Sequence, residues 1–572
     1  MKTTDIANDV FTTTHDSCNI LVDLLLSYGV EHTIISPGSR NAPIIIALNR
    51  CDEIQKHVII DERSAAFAAL GMAQVSNKPV AIVCTSGSAV LNYAPAVAEA
   101  FYQHIPLIII SADRPYEWID QNDSQTIIQA GILNNIVKHS YDIPANCNDK
   151  TKLWYINRTI NEALQKTTSL PEGPVHINMQ FNEPLYDRKP LTDSLAKQIK
   201  KILPLAHLSD YTYFANSINS CKKVLIFASM NKPCQELTNI LDSISGGNIA
   251  VISEIIGNNN KSKYIFKNID RLFSEISEDN YADFAPDLLI TFGGAPVSRL
   301  AKTFLRKLTN IEHWRIGIDN NIIDTMQNLT HHIDIEPLTF FKAINEFITK
   351  KGSYFDQWVT LKAQAQQSHD TYVENAPWSD FKAMYTIMKS LPYEGLNLQV
   401  SNGSAIRYAD IFGVHECFNG SISCNRGVSG IDGSTSTALG ASIVHTTGDT
   451  LLITGDMSFC YDLNGLASQY NSKRFKIIVL CNGGGGIFRF INGPSTLPNF
   501  EQYFEVHRDI PIEKYANAFG FNYIACDNEV ILKESITKLL SNSNPTILAI
   551  HTNNQISADT LRKYFNRNNN TK

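Results

Sequence analysis

Short apolar runs, each ending in Gly, Ser or Asp and each followed by a segment long enough for a helix, recur along the whole chain. This pattern is typical of βαβ units, in which helices connect the buried strands of a parallel sheet. Four such runs lie in the first 185 residues, four more lie between residues 205 and 348, and five follow residue 395. We therefore predict an α/β protein with three doubly wound domains, whose sheets are mainly parallel.

Polar segments separate the three groups of strands. Residues 186–204 are polar and charged and are predicted to form a linker, and a polar helical stretch at residues 350–380 precedes the third group. The predicted domains are residues 1–190, residues 200–350 and residues 375–572. One hydrophobic core rarely grows beyond about 250–300 residues, so a chain of 572 residues needs more than one domain.

The overall charge argues against nucleic acid as a partner. Lys and Arg number 49 and Asp and Glu number 56, so the net charge is −7 and no basic excess is left to neutralise phosphates. The eleven cysteines form no C-x-x-C pair, as expected for reduced thiols in the cytoplasm. The N-terminus lacks the apolar core of a secretory signal, and no apolar run reaches the length of a membrane span. We expect a cytoplasmic protein that acts on small molecules.

Two strands of the third group lead to polar side chains that suit a metal ion. The run Leu451–Thr454 leads through a glycine to Asp456. The run Lys476–Cys481 leads to Asn482, which follows the aspartate by 26 residues. This spacing fits one βαβ crossover, so both side chains should lie at the same edge of the sheet. Their oxygens are ligands that Mg²⁺ prefers, and the glycines at 483–486 let the backbone approach a diphosphate.

This arrangement resembles the metal-diphosphate motif of the thiamine-diphosphate-dependent enzymes. The resemblance covers nearly the whole chain and points to one branch of that family, the 2-succinyl-5-enolpyruvyl-6-hydroxy-3-cyclohexene-1-carboxylate synthases of menaquinone biosynthesis. It rests on blocks that occur in the order of that branch: Ser36-Pro-Gly-Ser-Arg-Asn, Asp61-Glu-Arg, Thr85-Ser-Gly-Ser-Ala, Ser111-Ala-Asp-Arg-Pro, Gly173-Pro-Val-His-Ile-Asn and Asn425-Arg-Gly-Val-Ser-Gly-Ile-Asp-Gly.

The resemblance implies a carboligase of the transferase class that uses thiamine diphosphate together with Mg²⁺ or Mn²⁺. Such an enzyme decarboxylates 2-oxoglutarate and adds the remaining succinyl semialdehyde unit to isochorismate by conjugate addition. The domain at residues 1–190 would bind the cofactor's pyrimidine, and the domain at residues 375–572 would bind its diphosphate and the metal. Family members bind one cofactor across two subunits. The resemblance therefore also implies a homodimer or homotetramer with active sites at the subunit interface.

The cofactor-binding residues follow from the same resemblance. Glu62 matches the carboxyl group that hydrogen-bonds the aminopyrimidine ring nitrogen, and its sequence context places it at a strand-to-helix junction. Ile431 matches the apolar residue that holds the cofactor bent, and Phe488 matches an apolar wall beside the reacting carbon. The implied metal ligands are Asp456, Asn482 and Gly484. The implied cofactor-binding set is Glu62, Thr85, Ser86, Gly87, Ile431, Gly455, Asp456, Met457, Ser458, Asn482, Gly484 and Phe488.

The substrates 2-oxoglutarate and isochorismate are both dianions, so a site for them needs several cations with bidentate geometry. The resemblance assigns this task mainly to arginines. The implied substrate-binding set is Ser39, Arg40, Arg114, Gln125, Arg299, Arg407 and Arg426. Gln125 and Arg407 join Glu62 as implied catalytic residues. The chain departs from the family at Gly403-Ser404, where an expected serine stands one place later. His331-His332 is interpreted as structural.

Two alternatives remain open from the sequence. One is another thiamine-dependent decarboxylase or carboligase of the acetolactate-synthase kind, which would release carbon dioxide from 2-oxoglutarate without using isochorismate. A small neutral acceptor would not need so many arginines. The other alternative is a catalytically silent homologue that only binds the cofactor, and the presence of Glu62 and Asp456 argues against it.

Overall fold

The structure is a computed structural model that describes residues 10–145, 149–200, 211–309, 311–392, 394–490 and 493–567. Within this part of the chain, three parallel sheets form together with one short antiparallel pair of strands. This architecture confirms the predicted fold class.

The chain divides into two compact units. The first comprises residues 1–204 together with the segments 435–444 and 464–470. The second comprises the remaining residues from 205 to 572. The three predicted domain ranges each contain one of the large sheets, and the exact domain boundaries stay a prediction.

The first unit contains a parallel sheet of six strands and a separate antiparallel pair of strands. Its strands are β1 (Phe11–Thr13), β2 (His32–Ile35), β3 (Gln55–Val58), β4 (Val80–Cys84), β5 (Leu107–Asp113), β6 (Ser140–Ile143), β7 (Val175–Gln180) and β8 (Arg188–Pro190). Its helices before residue 204 are α1 (Asp16–Ser27), α2 (Ala42–Asn49), α3 (Glu62–Ser76), α4 (Ala89–Asn92), α5 (Ala94–Gln103) and α6 (Lys150–Thr168). The sheet order is β3-β2-β4-β5-β7-β6, while β1 pairs with β8 antiparallel. Every residue of β4 and β5 is buried, as expected for central strands covered on both faces.

A second sheet lies in the first part of the second unit. Its strands are β9 (Val224–Ala228), β10 (Ile249–Ser253), β11 (Leu288–Phe292), β12 (Glu312–Ile316) and β13 (His331–Ile333). The helices of this region are α7 (Tyr211–Ser220), α8 (Gln235–Ile244), α9 (Ile269–Phe273), α10 (Tyr281–Phe284), α11 (Arg299–Arg306), α12 (Pro337–Ile344) and α13 (Tyr354–Asn375). The parallel order is β10-β9-β11-β12-β13. The histidine pair 331–332 lies on the edge strand β13.

The third sheet carries the strand ends that matter most for the site. Its strands are β14 (Glu394–Val400), β15 (Asn419–Ser423), β16 (Thr450–Gly455), β17 (Phe475–Cys481), β18 (Asn522–Cys526) and β19 (Thr546–His551). The helices along this part of the chain are α14 (Asp380–Ser390), α15 (Ser404–Phe412), α16 (Ser434–Val444), α17 (Asp456–Tyr461), α18 (Ile487–Phe490), α19 (Ile512–Ala518), α20 (Glu529–Ser541) and α21 (Asn554–Phe565). The parallel order is β15-β14-β16-β17-β19-β18, so β16 and β17 are neighbours.

Helix α16 joins the first unit through two glycines that allow close helix packing. A β-carbon on Gly440 would lie 1.9 Å from the carbonyl oxygen of Ala68 on α3, and one on Gly71 would lie 2.0 Å from the carbonyl oxygen of Thr437. Only glycine permits backbones to approach this closely. Residues 435–444 therefore complete the packing around α3, although they lie far along the chain.

The cysteines that the structure describes are all free thiols. None of the described helices combines the length and the apolar character that crossing a membrane requires.

Candidate active site

Glu62 is the first residue of α3, directly after the turn that follows β3. Asp61 caps this helix, because its carboxylate accepts a hydrogen bond from the backbone N–H of Ser64 at 3.2 Å. Such a cap satisfies one of the backbone donors that a helix N-terminus leaves free. The half-buried Glu62 thus occupies the strand-to-helix junction that the sequence predicts.

Two of the side chains that lie near Glu62, Cys84 and Tyr93, are buried. Burial, with a contribution from the Glu62 carboxylate, raises the pKa of the Cys84 thiol. Burial likewise raises the pKa of the Tyr93 hydroxyl, and Glu62 adds to this effect. Both neighbours are fully buried and therefore stay uncharged near neutral pH. A carboxyl group in such a setting can hold a hydrogen bond to an uncharged ring.

The loop Thr85-Ser86-Gly87 follows β4 at the same edge of the sheet as the Glu62 junction. Thr85 and Ser86 are buried, and the hydroxyl oxygen of Thr85 has no hydrogen-bond partner. Gly87 has a φ of 81°, a left-handed conformation that favours glycine. Its N–H donates to Oε1 of Gln129 at 2.7 Å. The loop therefore offers an unsatisfied hydroxyl on a fixed backbone.

Arg40 and Arg114 are brought together in the first unit. Burial and then the nearby Arg114 charge lower the pKa of the Arg40 guanidinium. Arg40 donates to the carbonyl oxygen of Phe181 at 3.1 Å and lies 3.3 Å from Glu183. Arg114 lies 3.0 Å from Asp123. The two guanidinium groups therefore lie near each other, each beside a carboxylate.

Ser39 and Gln125, the two other substrate residues expected in this unit, are exposed. Gln125 has a φ of 55°. A β-carbon on Gly87 would lie 3.3 Å from its carbonyl oxygen. The structure thus places Gln125 against the Thr85-Ser86-Gly87 loop.

In the second unit, Asp456 and Asn482 stand at the ends of the neighbouring strands β16 and β17. The Asp456 carboxylate accepts hydrogen bonds from the N–H groups of Met457 and Gly483, each at 2.7 Å. Burial is the main cause that raises the pKa of Asp456 to about 7. A buried carboxyl group at a strand end is a favourable place for a metal ion.

Asn482 presents a free oxygen beside this carboxylate. Its amide nitrogen donates to Oδ2 of Asp380 at 2.7 Å, while its amide oxygen is buried and has no partner. An unsatisfied buried carbonyl oxygen is costly unless a ligand reaches it. Gly484 follows with a φ of 153°, and a β-carbon there would lie 2.5 Å from the carbonyl oxygen of Glu505. Only glycine fits this position of the loop.

These donors suit Mg²⁺ or Mn²⁺ in kind. The carboxylate, the amide oxygen and a backbone carbonyl are hard oxygen ligands, and among the described residues no group of three or more His, Cys, Asp and Glu side chains could hold a metal ion. The residues present therefore fit an ion whose coordination is completed by phosphate oxygens and water.

Ser458 and Ile431, two further residues that the resemblance implies for the cofactor, are joined by a hydrogen bond. Ser458 is buried, and its hydroxyl donates to the carbonyl oxygen of Ile431 at 2.9 Å. This bond ties the loop before α16 to α17. The side chain of Ile431 is 38% exposed and that of Phe488 is 36% exposed, so both present apolar surface that a ligand can cover.

Three of the predicted arginines form a cationic cluster in the second unit. Burial lowers the pKa of Arg407 most, the nearby Asp270 raises it, and the charges of Arg426 and Arg299 lower it further. Arg426 donates to Oδ1 of Asn402 at 3.3 Å and to the carbonyl oxygen of Pro296 at 3.1 Å. The cluster therefore has a surplus of positive charge to offer to dianions.

Sequence reasoning missed three residues around these groups. Lys302 lies one turn after Arg299 on α11, and its ammonium group donates to the same Pro296 carbonyl that Arg426 contacts, at 3.3 Å. Gln129 holds the Gly87 loop, and Asp380 holds Asn482. The spacing of Lys302 from Arg299 was a usable signal. The other two carry no motif, since their role depends on contacts distant in sequence.

The predicted site residues are divided between the two units. The first unit contains Glu62, Thr85, Ser86, Gly87, Ser39, Arg40, Arg114 and Gln125. The second unit contains Ile431, Gly455, Asp456, Met457, Ser458, Asn482, Gly484, Phe488, Arg299, Arg407 and Arg426. Each set is locally grouped at strand ends or on helices that border them.

Comparison with known proteins gives consistent results. The family described as "Thiamine pyrophosphate enzyme, N-terminal TPP binding domain" matches residues 17–132, and "Thiamine pyrophosphate enzyme, C-terminal TPP binding domain" matches residues 408–550. A 2-succinyl-5-enolpyruvyl-6-hydroxy-3-cyclohexene-1-carboxylate synthase of Flavobacterium psychrophilum is 39% identical, over 95% of this chain and 97% of its own length. Synthases of the same name from Porphyromonas gingivalis and Flavobacterium johnsoniae are each 38% identical. The alignment with the Porphyromonas gingivalis relative covers 96% of both chains, and the alignment with the Flavobacterium johnsoniae relative covers 95% of this chain and 97% of the relative.

Proposed function

The chain belongs to the family of 2-succinyl-5-enolpyruvyl-6-hydroxy-3-cyclohexene-1-carboxylate synthases, and from this premise we propose that it transfers a succinyl semialdehyde unit from 2-oxoglutarate to isochorismate. It is a thiamine-diphosphate-dependent transferase of menaquinone biosynthesis. The cofactor, when bound, supplies the carbanion chemistry that neither substrate nor side chain can supply. The protein itself binds and orients the cofactor and the two substrates, and it excludes water from them.

The Glu62 carboxyl group holds the proton at the aminopyrimidine ring nitrogen in this proposal. Its position at the N-terminus of α3, beside the uncharged Cys84 and Tyr93, supports this role. A general acid–base group must lie within hydrogen-bond reach of the atom that it serves. Thr85 and Gly87 lie on the loop that borders the same junction and would contact the same part of the cofactor.

Asp456, Asn482 and the backbone carbonyl of Gly484 would hold Mg²⁺ or Mn²⁺, which in turn would hold the diphosphate. The unpartnered amide oxygen of Asn482 is the single observation that supports this assignment most strongly. The glycine conformation at 484 supports it too, because the backbone there is free of a side chain.

The arginines place the two dianionic substrates. The cluster of Arg299, Arg407 and Arg426, with Lys302 beside it, supports binding of carboxylates, as does the pair Arg40 and Arg114. Holding two anions side by side lowers the barrier to their reaction, because translational freedom has already been lost. Cations also offset the repulsion between the substrates.

The direct test uses purified protein with 2-oxoglutarate, isochorismate, Mg²⁺ and thiamine diphosphate, followed by mass detection of the adduct. We expect the adduct to form only when all four are present. Carbon dioxide release at the same rate without isochorismate, and with no adduct when it is added, would support a different decarboxylase instead. Cofactor binding without either product would support a silent homologue.

We also propose that the enzyme is cytoplasmic and acts as a homodimer or homotetramer, with each cofactor bound by Glu62 of one subunit and Asp456 of another. Two inactive variants, Glu62→Gln and Asp456→Ala, test the shared site when they are unfolded and refolded together. Mixed dimers would contain one intact site, so we expect about a quarter of the wild-type rate, since half of the randomly formed dimers are mixed. Activity that stays at the level of either variant alone would show that each subunit builds its own site.

A further inference from the structure

The carboxyl group of Asp380 lies behind the metal-site residue Asn482 and makes two side-chain hydrogen bonds. Asp380 is the first residue of α14 and is only 2% exposed. Its Oδ1 accepts from the hydroxyl of Thr552 at 2.5 Å, and its Oδ2 accepts from the amide nitrogen of Asn482 at 2.7 Å. Its backbone N–H donates to the hydroxyl of Ser557 at 3.0 Å. The side chain is therefore fixed from both ends.

An asparagine amide can be turned over without changing its shape, because its oxygen and nitrogen ends are nearly the same size. Only the nitrogen end of the amide can donate, and both oxygens of the Asp380 carboxyl group act as acceptors, Oδ1 for Thr552 and Oδ2 for Asn482. A carboxylate at 2.7 Å therefore selects the orientation in which the Asn482 nitrogen faces Asp380. The turned-over amide would place two acceptor oxygens against each other in a buried site.

The oxygen end of the same amide is left without a partner. It is buried and makes no hydrogen bond, which is costly in the absence of a ligand. Gly486 leaves room around the amide: a β-carbon there would lie 2.9 Å from its nitrogen. The neighbouring strand end carries the Asp456 carboxylate. A divalent cation bound there would give the amide oxygen the partner that it lacks.

We propose that Asp380 is a positioning residue of the metal site, which orients the Asn482 amide so that its oxygen faces the divalent ion. This inference rests on the proposed function, since it requires that Asn482 binds the metal. Residues that orient metal ligands in this way typically change metal affinity by about ten- to hundredfold when they are substituted. Asp380 itself does not touch the ion.

The test measures how much Mg²⁺ or Mn²⁺ is needed for half-maximal binding of thiamine diphosphate, followed by calorimetry or intrinsic fluorescence. In Asp380→Asn, an amide faces an amide and the Asn482 orientation is no longer selected. We expect the metal requirement of this variant to rise by about ten- to hundredfold. An unchanged requirement would overturn the proposal.

Thr552→Val is the matched control. It removes the other hydrogen bond to the same carboxylate and leaves the contact with Asn482 in place. We expect its metal requirement to stay within about threefold of the wild type, which is less than the effect of one net hydrogen bond. Equal effects of the two substitutions would mean that Asp380 only stabilises the local fold.

A double-mutant cycle separates positioning from general stability. In an Asn482→Ala background no amide remains to be oriented, so Asp380→Asn should raise the metal requirement no further. An undiminished effect in that background would overturn the proposal.

Thermal melting of the metal-free proteins accompanies each measurement. If Asp380→Asn does not fold, Asp380→Ser takes its place with the same expectation; if neither folds while Thr552→Val does, Asp380 is structural and the proposal fails. Wild-type protein that binds no thiamine diphosphate at any metal concentration would instead contradict the proposed function.

Discussion

The carboxylate of Asp456 accepts a hydrogen bond from the backbone N–H of Gly483 across 2.7 Å. This bond joins the ends of two neighbouring parallel strands, β16 and β17, whose residues pair in register up to Gly455 and Leu480. The aspartate is therefore held in place before any ligand arrives. A site that is fixed in advance loses little entropy when it binds a metal and a diphosphate.

Asp456→Ala should weaken metal-dependent binding of thiamine diphosphate by at least about tenfold, because a charged metal ligand contributes more than one ordinary hydrogen bond. A cofactor titration at fixed Mg²⁺ measures this. Asp283→Ala, which removes an exposed carboxylate on α10, is the control and should titrate like the wild type. An unchanged titration of Asp456→Ala would exclude the aspartate as a ligand.

Glu62→Gln should abolish most turnover while leaving cofactor binding largely intact. An acid–base group contributes about 10²–10⁴-fold to a rate, whereas the amide keeps the size of the side chain. Steady-state kinetics and a cofactor titration on the same sample check both halves of the prediction. Glu53→Gln, at an exposed position in the same unit, should have no effect. Near-normal turnover of the Glu62 variant would contradict its assigned role.

Arg426→Gln should lower kcat/KM for the dianionic substrates by about tenfold or more, the usual loss for a hydrogen bond to a charged group. Cofactor binding should not change, because this side chain contacts Asn402 and Pro296 rather than the β16–β17 strand ends. Arg306→Gln removes an exposed guanidinium from α11 and serves as the control. Equal kinetics for the two variants would count against a substrate-binding role for Arg426.

Gly440→Ala should destabilise the first unit by about 1–3 kcal/mol or more, the range for forcing extra atoms into a packed interior. The added β-carbon would lie 1.9 Å from the carbonyl oxygen of Ala68, so the two helices would have to separate. Urea unfolding measures the change. In the control Gly173→Ala, the β-carbon meets only the flexible side chain of Lys138, at 3.1 Å, and stability should stay near that of the wild type.

His176 should make folding stability depend on pH. It is completely buried between the hydroxyls of Ser111 and Ser140, and burial lowers its pKa to about 4. The unfolded chain binds this proton near pH 6.5, the folded chain only near pH 4, so stability is lost as the pH falls through that window. We expect the stability difference between wild type and His176→Gln to fall by about 1.4 kcal/mol per pH unit there. A difference that is independent of pH would contradict this.

The sequence predicted the strands of all three sheets best where they are central. Runs such as Val80–Cys84 and Val224–Ala228 are apolar throughout because both of their faces are covered. The antiparallel pair Phe11–Thr13 and Arg188–Pro190 was not predicted. In the three large sheets, the strands outside the predicted runs are Ser140–Ile143, His331–Ile333 and Asn522–Cys526. Each lies at the edge of its sheet, where one side of the strand needs no apolar partner and the periodic signal is weak.

The residues of the candidate site also differ in how far the sequence could predict them. Asp456 and Asn482 could be predicted because each follows an apolar strand at a spacing that a βαβ unit imposes. Asp380 could not, because it lies about a hundred residues before Asn482 and meets it only after folding. The same reason explains why the inclusion of residues 435–444 in the first unit was not anticipated.

That inclusion has a consequence for the order of events during synthesis. Domains generally fold from the N-terminus as the ribosome releases them, yet the packing around Gly71 on α3 needs α16, which is synthesised much later. The unit that begins the chain is therefore among the last to be finished. Until α16 is synthesised, the surface of α3 at Gly71 lacks the helix that packs on it, and a fragment that stops near residue 204 would lack that helix permanently.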